Sequence, residues 1–513
     1  MPVEGVGWLA YSGEAMNAVV TPIGSRPLGL TRAFALVLAA VAAFTLAYCV
    51  SGVGFLNVIY LFCLVGLARV GTSRQAFYLG LAVGMLAYPL QLSCFYTIFG
   101  PGAVALWLVL AFWLGLFVLL ARLCLVSFKP LWAAVAIPFI WTGLEYFRSE
   151  LYYLRFSWLN VGYAFSGGPL LPAFRWLGMY GLGFLAMGIA VSVWMYRPRS
   201  RPRNRGTEKA HHEDENEDEE EASPRMLEPR WSPAATLGLF LALVAALEVS
   251  LRSSGASQRP APALAKSVRV AGVQLEFPTD AEVIESLDKL VAAEPEAELL
   301  VLSEYTFDGP VPERIKVWCR EHQRYLIVGG KNPAPGGNFY DTAFVVGPTG
   351  EIPFRQGKAV PIQFFKDGLP AGEQRLWDSP WGRIGLCICY DLSYSRVTDR
   401  LIRLGAQALI VPTMDVAEWG QREHELHARV APVRAAEYSV PIFRVASSGV
   451  SQLVDGFGRE LAKAAFPGQA QIIAGRLMMG KPGSLPLDRR LGPCATGVTG
   501  LVIVWLLVRR SFR

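Results

Sequence analysis

The sequence predicts a helical membrane domain joined to a soluble α/β domain, and three observations carry that prediction. Apolar residues make up 52% of the 513-residue chain but are unevenly spread: residues 33–250 hold long uncharged runs, whereas 265–490 has the mixed composition of an ordinary soluble domain. The uncharged runs reach the roughly 20 residues that a helix needs to cross hydrocarbon. In the soluble part, short strand-like runs take turns with segments of helical spacing. The net charge is only +6, and its positive residues fall in short loops and at the C-terminus, so no nucleic-acid partner is expected.

Residues 1–32 read as an N-terminal cytoplasmic segment, and 33–196 as a membrane domain of six helices. No charge occurs between Arg32 and Arg69, which leaves room for two spans broken near Ser51-Gly52. None occurs between Arg74 and Arg122 either, and Gly100-Pro101-Gly102 is expected to split that run into two more. A fifth span covers about 130–147 and the sixth Trp176–Tyr196. The loop 197–230 turns from arginine-rich to a block of Asp and Glu, the pattern of a solvated, disordered tether. A seventh helix is expected within 231–250, and an eighth at 491–508 after the soluble domain of 265–480. Eight apolar runs in series without a polar face argue against buried helices of a soluble protein. The first is not expected to be a cleaved signal, since its leader is long and several spans follow.

Positive residues in short loops set orientation. Arg26 and Arg32, Arg69 and Arg74, Arg122 and Lys129, the arginines from Arg197 to Arg205, and the terminal Arg509, Arg510 and Arg513 share one side if there are eight spans. That predicts cytoplasmic termini and a soluble domain on the far side. The eight cysteines include no CxxC pair, so neither a disulfide framework nor a zinc site is indicated. A free thiol is then available for chemistry.

In the soluble part, Val268–Leu275 alternates as a strand and Ala281–Ala293 has helical spacing. Leu299–Ser303, Tyr325–Val328, Arg383–Cys389, Ala408–Val411 and Pro441–Ala446 read as strands. Pro312–His322, Ser395–Leu404 and Gln421–Tyr438 read as helices, and Gly-Pro-Thr-Gly joins Thr342–Val346 to Ile352–Phe354 as a hairpin. Such alternation indicates sheet layered with helix. Three polar residues stand just past strand ends, where open α/β sheets place their sites: Glu304, Lys358 and Cys389. A carboxylate can take the thiol proton, and an ammonium can stabilise first the thiolate and then an oxyanion. Together they suffice for acyl transfer through a thioester. Cys387 is the rival thiol, expected on the same face but inside the sheet. His424 and His427 lie three apart on a helix, but no Asp, Cys or third His is seen to complete a metal set, so no metal is expected. The glycines at 329–330 and 336–337 lack a phosphate-loop context.

Leu302-Ser-Glu-Tyr-Thr, Gly357-Lys-Ala-Val-Pro and Gly385-Leu-Cys-Ile-Cys-Tyr390-Asp391 resemble the Glu–Lys–Cys set of the nitrilase superfamily, as do Arg434-Ala-Ala-Glu437-Tyr, Ser447-Ser-Gly-Val and Asp455-Gly-Phe-Gly. Trp141-Thr-Gly-Leu-Glu-Tyr-Phe-Arg148, Phe156-Ser-Trp-Leu-Asn-Val-Gly-Tyr163 and Gly178-Met-Tyr-Gly-Leu-Gly-Phe-Leu185 are similar to segments of apolipoprotein N-acyltransferases. That resemblance implies a nitrilase-like αββα sandwich on membrane helices in a bacterial inner membrane, with the catalytic domain periplasmic. It implies a phospholipid acyl donor, a diacylated lipoprotein acceptor, no cofactor, and transfer through a Cys389 thioester to the α-amine of a diacylglyceryl cysteine. Glu145 and Arg148, costly near a span end, are read either as site residues or as an interfacial ion pair. Trp158 and Tyr163 are read as interface anchors or as the lining of a lipid groove. Tyr390, Asp391 and Glu437 are supporting candidates. Where the family carries a second glutamate after the lysine, this chain reads Ile362-Gln-Phe-Phe-Lys-Asp367 with no Glu until Glu373. Either Asp367 or Glu373 substitutes, or that role is lost. After Val411, Pro-Thr-Met-Asp415 replaces the family's Asn-Asp, and shorter loops imply a smaller lid. The competing functions are a membrane-anchored amidase or hydrolase, in which water resolves the thioester, and a non-catalytic relative that binds lipid or protein.

Overall fold

The computed structural model describes residues 28–195 and 266–511. Most of the segment 1–32, the acidic loop 197–230 and the seventh helix at 231–250 lie outside the described residues. The first part is a bundle of α1 (Leu30–Cys49), α2 (Leu56–Leu67), α3 (Ser73–Gln91), α4 (Cys94–Phe99), α5 (Ala103–Ser127), α6 (Pro130–Tyr146) and α7 (Phe174–Met195). Four helical segments are long and apolar enough to cross a membrane: Leu30–Cys49, Cys94–Ser127, Leu171–Met195 and Asp488–Arg509. Helix α2 is also apolar but has only 12 residues.

The expected break at Gly100-Pro101-Gly102 is a sharp turn of the backbone: Gly100, with φ 56° and ψ −138°, ends the short α4. Pro101 then sits in the turn that leads into α5, where its missing N–H costs nothing. The uncharged run between Arg74 and Arg122 thus holds α3 and α5 with the short α4 between them.

The helices run up and down, and the two ends of the bundle make different contacts. At one end the Arg122 guanidinium donates to the carbonyls of Val70 and Gly71, and Arg509 donates to the Ser127 carbonyl at 2.7 Å. The opposite end carries the soluble domain. There Arg422 and Arg429 donate to the carbonyl of Tyr48 at the end of α1, and Glu150 accepts from the backbone and hydroxyl of Ser395.

The soluble part contains two six-stranded sheets. The first pairs β1 (Lys266–Val273), β2 (Leu299–Val301), β3 (Tyr325–Pro333), β4 (Phe339–Val346), β5 (Phe354–Gly357) and β12 (Ile472–Met479) in the order β12-β1-β2-β3-β4-β5. The second pairs β6 (Leu376–Ser379), β7 (Gly382–Leu386), β8 (Ala408–Thr413), β9 (Ile442–Ala446), β10 (Ser451–Val454) and β11 (Glu460–Ala464) in the order β11-β10-β9-β8-β7-β6. Period-2 alternation sorts the first sheet's side chains into two cores. Val268, Val270, Leu299, Val301, Ile327, Ala343 and Val345 join the large core shared with the second sheet. Their neighbours Ala271, Leu300, Leu326, Val328 and Phe344 join a separate core with Val283, Leu287, Ile315 and Trp318. Those last four come from α8 (Asp280–Ala293) and α9 (Glu313–His322), which cover the outer face. On the second sheet the covering helices are α10 (Ser395–Arg403) and α12 (Val430–Tyr438); α11 (Gln421–Ala428) precedes α12, and α13 (Asp488–Ser511) returns to the bundle. The result is the four-layer αββα sandwich attached to apolar helices.

Two expected elements are shorter than the sequence implied. Helix 421–438 is two helices meeting at Arg429, because Pro432 has no N–H for the Ala428 carbonyl. Strand β7 ends at Leu386, but the Cys387 N–H still donates to the Ile410 carbonyl of β8 at 3.1 Å, so Cys387 remains inside the sheet as expected.

Candidate active site

Cys389 opens a 3-10 turn at the end of β7 with φ 48°, a left-handed conformation unusual for a side chain with a Cβ. That turn breaks the strand alternation, which corrects the expectation that Cys387 and Cys389 share a face. Cys387 is fully buried and its thiol is pushed well up by burial. The turn is held by Asp391, whose carboxylate accepts from the backbone N–H of Ala359, Val360 and Ile388 at 2.8–3.4 Å. Asp391 thereby ties the segment after Lys358 to the segment carrying Cys389. Burial raises its pKa to about 6, and those backbone donors and Lys358 limit the rise.

Glu304 follows β2 and is positioned by close backbone contact. A Cβ on Gly329 would lie 2.6 Å from Glu304 Cα, so only glycine lets β3 pass there. Glu304 Oε1 accepts from Lys358 Nζ at 2.7 Å, and Oε2 from the Met414 backbone N–H at 2.7 Å. The Met414 carbonyl in turn faces the Cys389 sulfur at 3.7 Å. One backbone residue past β8 therefore links the carboxylate and the thiol, and the structure brings all three predicted residues together.

Lys358 is completely buried among carboxylates. Asp367 Oδ2 stands 2.7 Å from its Nζ and Asp341 Oδ2 3.5 Å. Burial disfavours the ammonium, but Glu304, Asp367 and the other neighbours more than offset it and hold Lys358 charged. Burial and the adjacent Glu304 push Asp341 well above the usual carboxylate range, against the pull of Lys358. Asp367 also accepts from the Tyr305 hydroxyl at 2.7 Å and the Ile362 N–H at 2.6 Å. Asp367 thus stands beside Lys358, whereas Glu373 does not: its carbonyl accepts from Gln356, and it lines a different, arginine-rich cleft. The Cys389 thiol is itself raised by burial and Glu304, opposed by Lys358.

Two cavities meet at this centre. An apolar groove of about 870 Å³ is lined by Phe95, Ile98, Phe99, Leu106 and Leu110 of the bundle together with Trp158, Cys389, Tyr390 and His427. A cleft of about 1210 Å³ on the other side is lined by Glu304, Tyr305, Lys331, Lys358 and Asp367. Ile362, Phe365, Met414 and Trp419 line both.

The remaining candidates divide. Trp158 is buried in the groove wall, its indole N–H donating to Ser393 at 2.9 Å, so it lines the groove rather than anchoring at an interface. Tyr390 also lines the groove, its hydroxyl donating to the Arg155 carbonyl at 3.2 Å. Tyr163 is buried away from it. Glu145 and Arg148 are not brought to Cys389: Glu145 accepts from the Val161 N–H at 2.9 Å, Arg148 donates to Asn160, and both line a separate cavity of about 380 Å³. Glu437 is a domain latch, accepting from the Met179 N–H, Arg434 and Arg489 at 2.6–2.9 Å.

The histidine reading needs correction. Asp415 and Glu423 gather with His424, and Asp415 and Cys389 gather with His427, each set within 4.8 Å. Asp415 comes from the loop after β8, 9 and 12 residues before the two histidines, and Cys389 from the turn after β7, 38 residues before His427, so helix spacing alone could not reveal them. Arg444 already pairs with Asp415 Oδ2 at 2.5 Å, which places a fixed positive charge where a cation would sit. Asp341, Met414 and Trp419 were missed for a similar reason, since only the tertiary fold brings them to Lys358 or to the groove beside Cys389.

Residues 35–192 match the apolipoprotein N-acyltransferase N-terminal domain, and 272–474 match the carbon-nitrogen hydrolase family. An apolipoprotein N-acyltransferase of Geobacter metallireducens is 23% identical over 63% of this chain and 64% of its own length, so the match spans slightly less than two thirds of that relative. One from Azotobacter vinelandii is 26% identical over 79% of each chain. Omega-amidase NIT2 of Mus musculus is 25% identical over 30% of this chain and 63% of its own length. An amidase-like domain alone would leave the family open, but the N-terminal match precedes it in the same chain and two relatives extend across both. The chain belongs to the apolipoprotein N-acyltransferase family.

Proposed function

We propose that this membrane protein transfers a fatty acyl chain from a phospholipid to the α-amine of the diacylglyceryl cysteine of lipoproteins, through a thioester on Cys389. The observation that carries this reading is the position of the buried thiol where the apolar groove, walled by bundle helices, adjoins the cleft that holds Glu304 and Lys358. Glu304 takes the thiol proton, and sulfur adds to the ester carbonyl of a donor whose chain lies in the groove. Lys358 stabilises first the thiolate and then the oxyanion. The lysophospholipid departs, and the acceptor amine resolves the thioester, so that one nucleophile serves two half-reactions. Asp367 substitutes for the family's second glutamate by holding Lys358 in place.

The distribution of charge supports an extracytoplasmic site. Arg122, Arg509 and the loop bearing Arg69 and Arg74 lie at the bundle end opposite the sandwich, and positive loops face the cytoplasm. In a bacterium this reading places the sandwich on the periplasmic face of the inner membrane.

The test is to incubate the purified full chain with phospholipid and a diacylated lipopeptide and follow peptide mass. Gain of one acyl chain is expected, lost by at least about 10⁴-fold in Cys389→Ala and retained in Cys387→Ala. Free fatty acid without acylated peptide would favour a hydrolase instead. Absence of any adduct on Cys389 would favour a non-catalytic relative.

A further inference from the structure

Among the described residues, His427 is the one imidazole lining the apolar groove beside Cys389. A ring nitrogen, the Cys389 sulfur and an Asp415 oxygen lie within 4.8 Å of one another. The ring is held on two sides: Nδ1 lies 2.7 Å from Asp415 Oδ1, and the Trp158 ring stacks on it at 4.6 Å and 19°. Asp415 would be raised by burial, but Arg444 and His427 hold it well below the usual carboxylate range, so a carboxylate stands beside Nδ1. The other charged groups facing the ring are Glu423, with Oε1 3.9 Å from Nδ1, and Arg444, with Nη2 at 3.0 Å. His427 Nε2 is buried and has no hydrogen-bond partner among the described residues. A buried, unpartnered ring nitrogen in a groove is costly unless something meets it there.

Glu304 and Lys358 line the cleft on the other side, so His427 stands on the groove side of Cys389, away from them. We propose that His427 is a second catalytic acid–base residue, which protonates the alkoxide leaving from a lipid ester donor. This rests on the reading of Cys389 as an acyl-accepting thiol. Glu304 takes the thiol proton, the sulfur–carbon bond forms, and the carbon–oxygen bond breaks. The alkoxide takes the Nε2 proton of the imidazolium, while Asp415 keeps Nδ1–H in place. In the second half-reaction the neutral ring takes a proton from the adding amine, and Glu304 returns its own to sulfur as the thioester breaks. The cycle then closes with no proton gained or lost by the protein.

A general acid matters only when the leaving group is a poor one. Single-turnover acylation of Cys389 in the full chain is therefore measured by intact mass with two donors of the same acyl chain: phosphatidylethanolamine, which leaves as an alkoxide, and a p-nitrophenyl ester, which leaves as a stable phenolate. His427→Gln should slow acylation by the phospholipid about 10²-fold or more and leave the aryl ester within about threefold. Equal loss with both donors would make His427 structural and overturn the proposal, as would an unchanged phospholipid rate. His427→Asn repeats the test if the glutamine variant does not fold. The wild type adds an independent check: its acylation rate should depend weakly on leaving-group pKa from alkyl to aryl esters, and a steep dependence would overturn the assignment. Failure of the wild type to form any adduct with either donor would instead sink the thioester reading itself.

Discussion

Lys358 and Arg434 stand at the centres of two fully buried charge clusters that differ in how completely they are satisfied. Around Arg434, Nε and Nη2 donate to the carbonyls of Leu392 and Ser393, and Nη1 donates to Glu437, which also takes Arg489 and the Met179 N–H. Arg489 closes the set on Asp399 and Asp488. The links from Met179 to Glu437 and from Arg489 to Glu437 and Asp399 join the sandwich to α7 and α13, so the cluster works as a clamp between the halves. Around Lys358, one ammonium faces Glu304, Asp367 and Asp341, and only two of those carboxylates approach within 2.7 Å. Two guanidiniums with many fixed donors lock a geometry. One ammonium among three carboxylates leaves a proton that can move, which is what acid–base chemistry requires.

That contrast can be tested, beginning with the largest effect. Lys358→Met should cut acyl transfer by about 10³–10⁴-fold, because it removes the charge that stabilises thiolate and oxyanion. A loss below tenfold, read as initial rate of lipopeptide acylation, would move Lys358 into the structural class. Glu437→Leu should do the opposite. It strands Arg434, Arg489 and the Met179 N–H, so a destabilisation of about 3–5 kcal/mol is expected. The folded fraction should nevertheless retain activity within about threefold, and a collapse of kcat in folded protein would show that the clamp takes part in catalysis.

Asp391 lies between the two classes and supplies a pH test. Its folded pKa, about 6, exceeds the usual carboxylate value, so the native state binds a proton that the unfolded state has already released between pH 4 and 6. Stability from this group is therefore present below about pH 4 and lost as pH rises through 6, by about 3 kcal/mol in full. The thermal midpoint of the wild type relative to Asp391→Asn should fall from pH 4 to pH 7, and a rise would reverse the assignment. The smallest effect concerns Asp367→Asn, which keeps the shape but removes one of two charges on Lys358. A loss of about tenfold in acylation is expected, with Glu373→Gln unchanged; the reverse ranking would restore Glu373 as the substitute carboxylate.

The arginine clamp was only partly legible beforehand. Arg434 and Glu437 sit three apart on one helix face and could be paired by eye, but Arg489, Asp399 and Met179 join them from three other segments. The Lys358 cluster was more visible, since Glu304, Lys358 and Cys389 each mark the end of a strand, and strand ends are written in local alternation. The pairing of Asp367 rather than Glu373 with the ammonium was not visible. Six residues of separation say nothing about which carboxylate a loop turns inward.

By itself the chain determined its apolar helices, its alternating strands and the three residues placed where those strands stop. These follow from periodicity and burial within a few neighbours, and water enforces them wherever the segment lies. Tertiary structure decided the rest: that Met414, 110 residues from Glu304, links it to Cys389, and that His427 meets Asp415 beside the thiol. Those contacts depend on which strand pairs with which and how two domains meet, and no local pattern of residues encodes that distance.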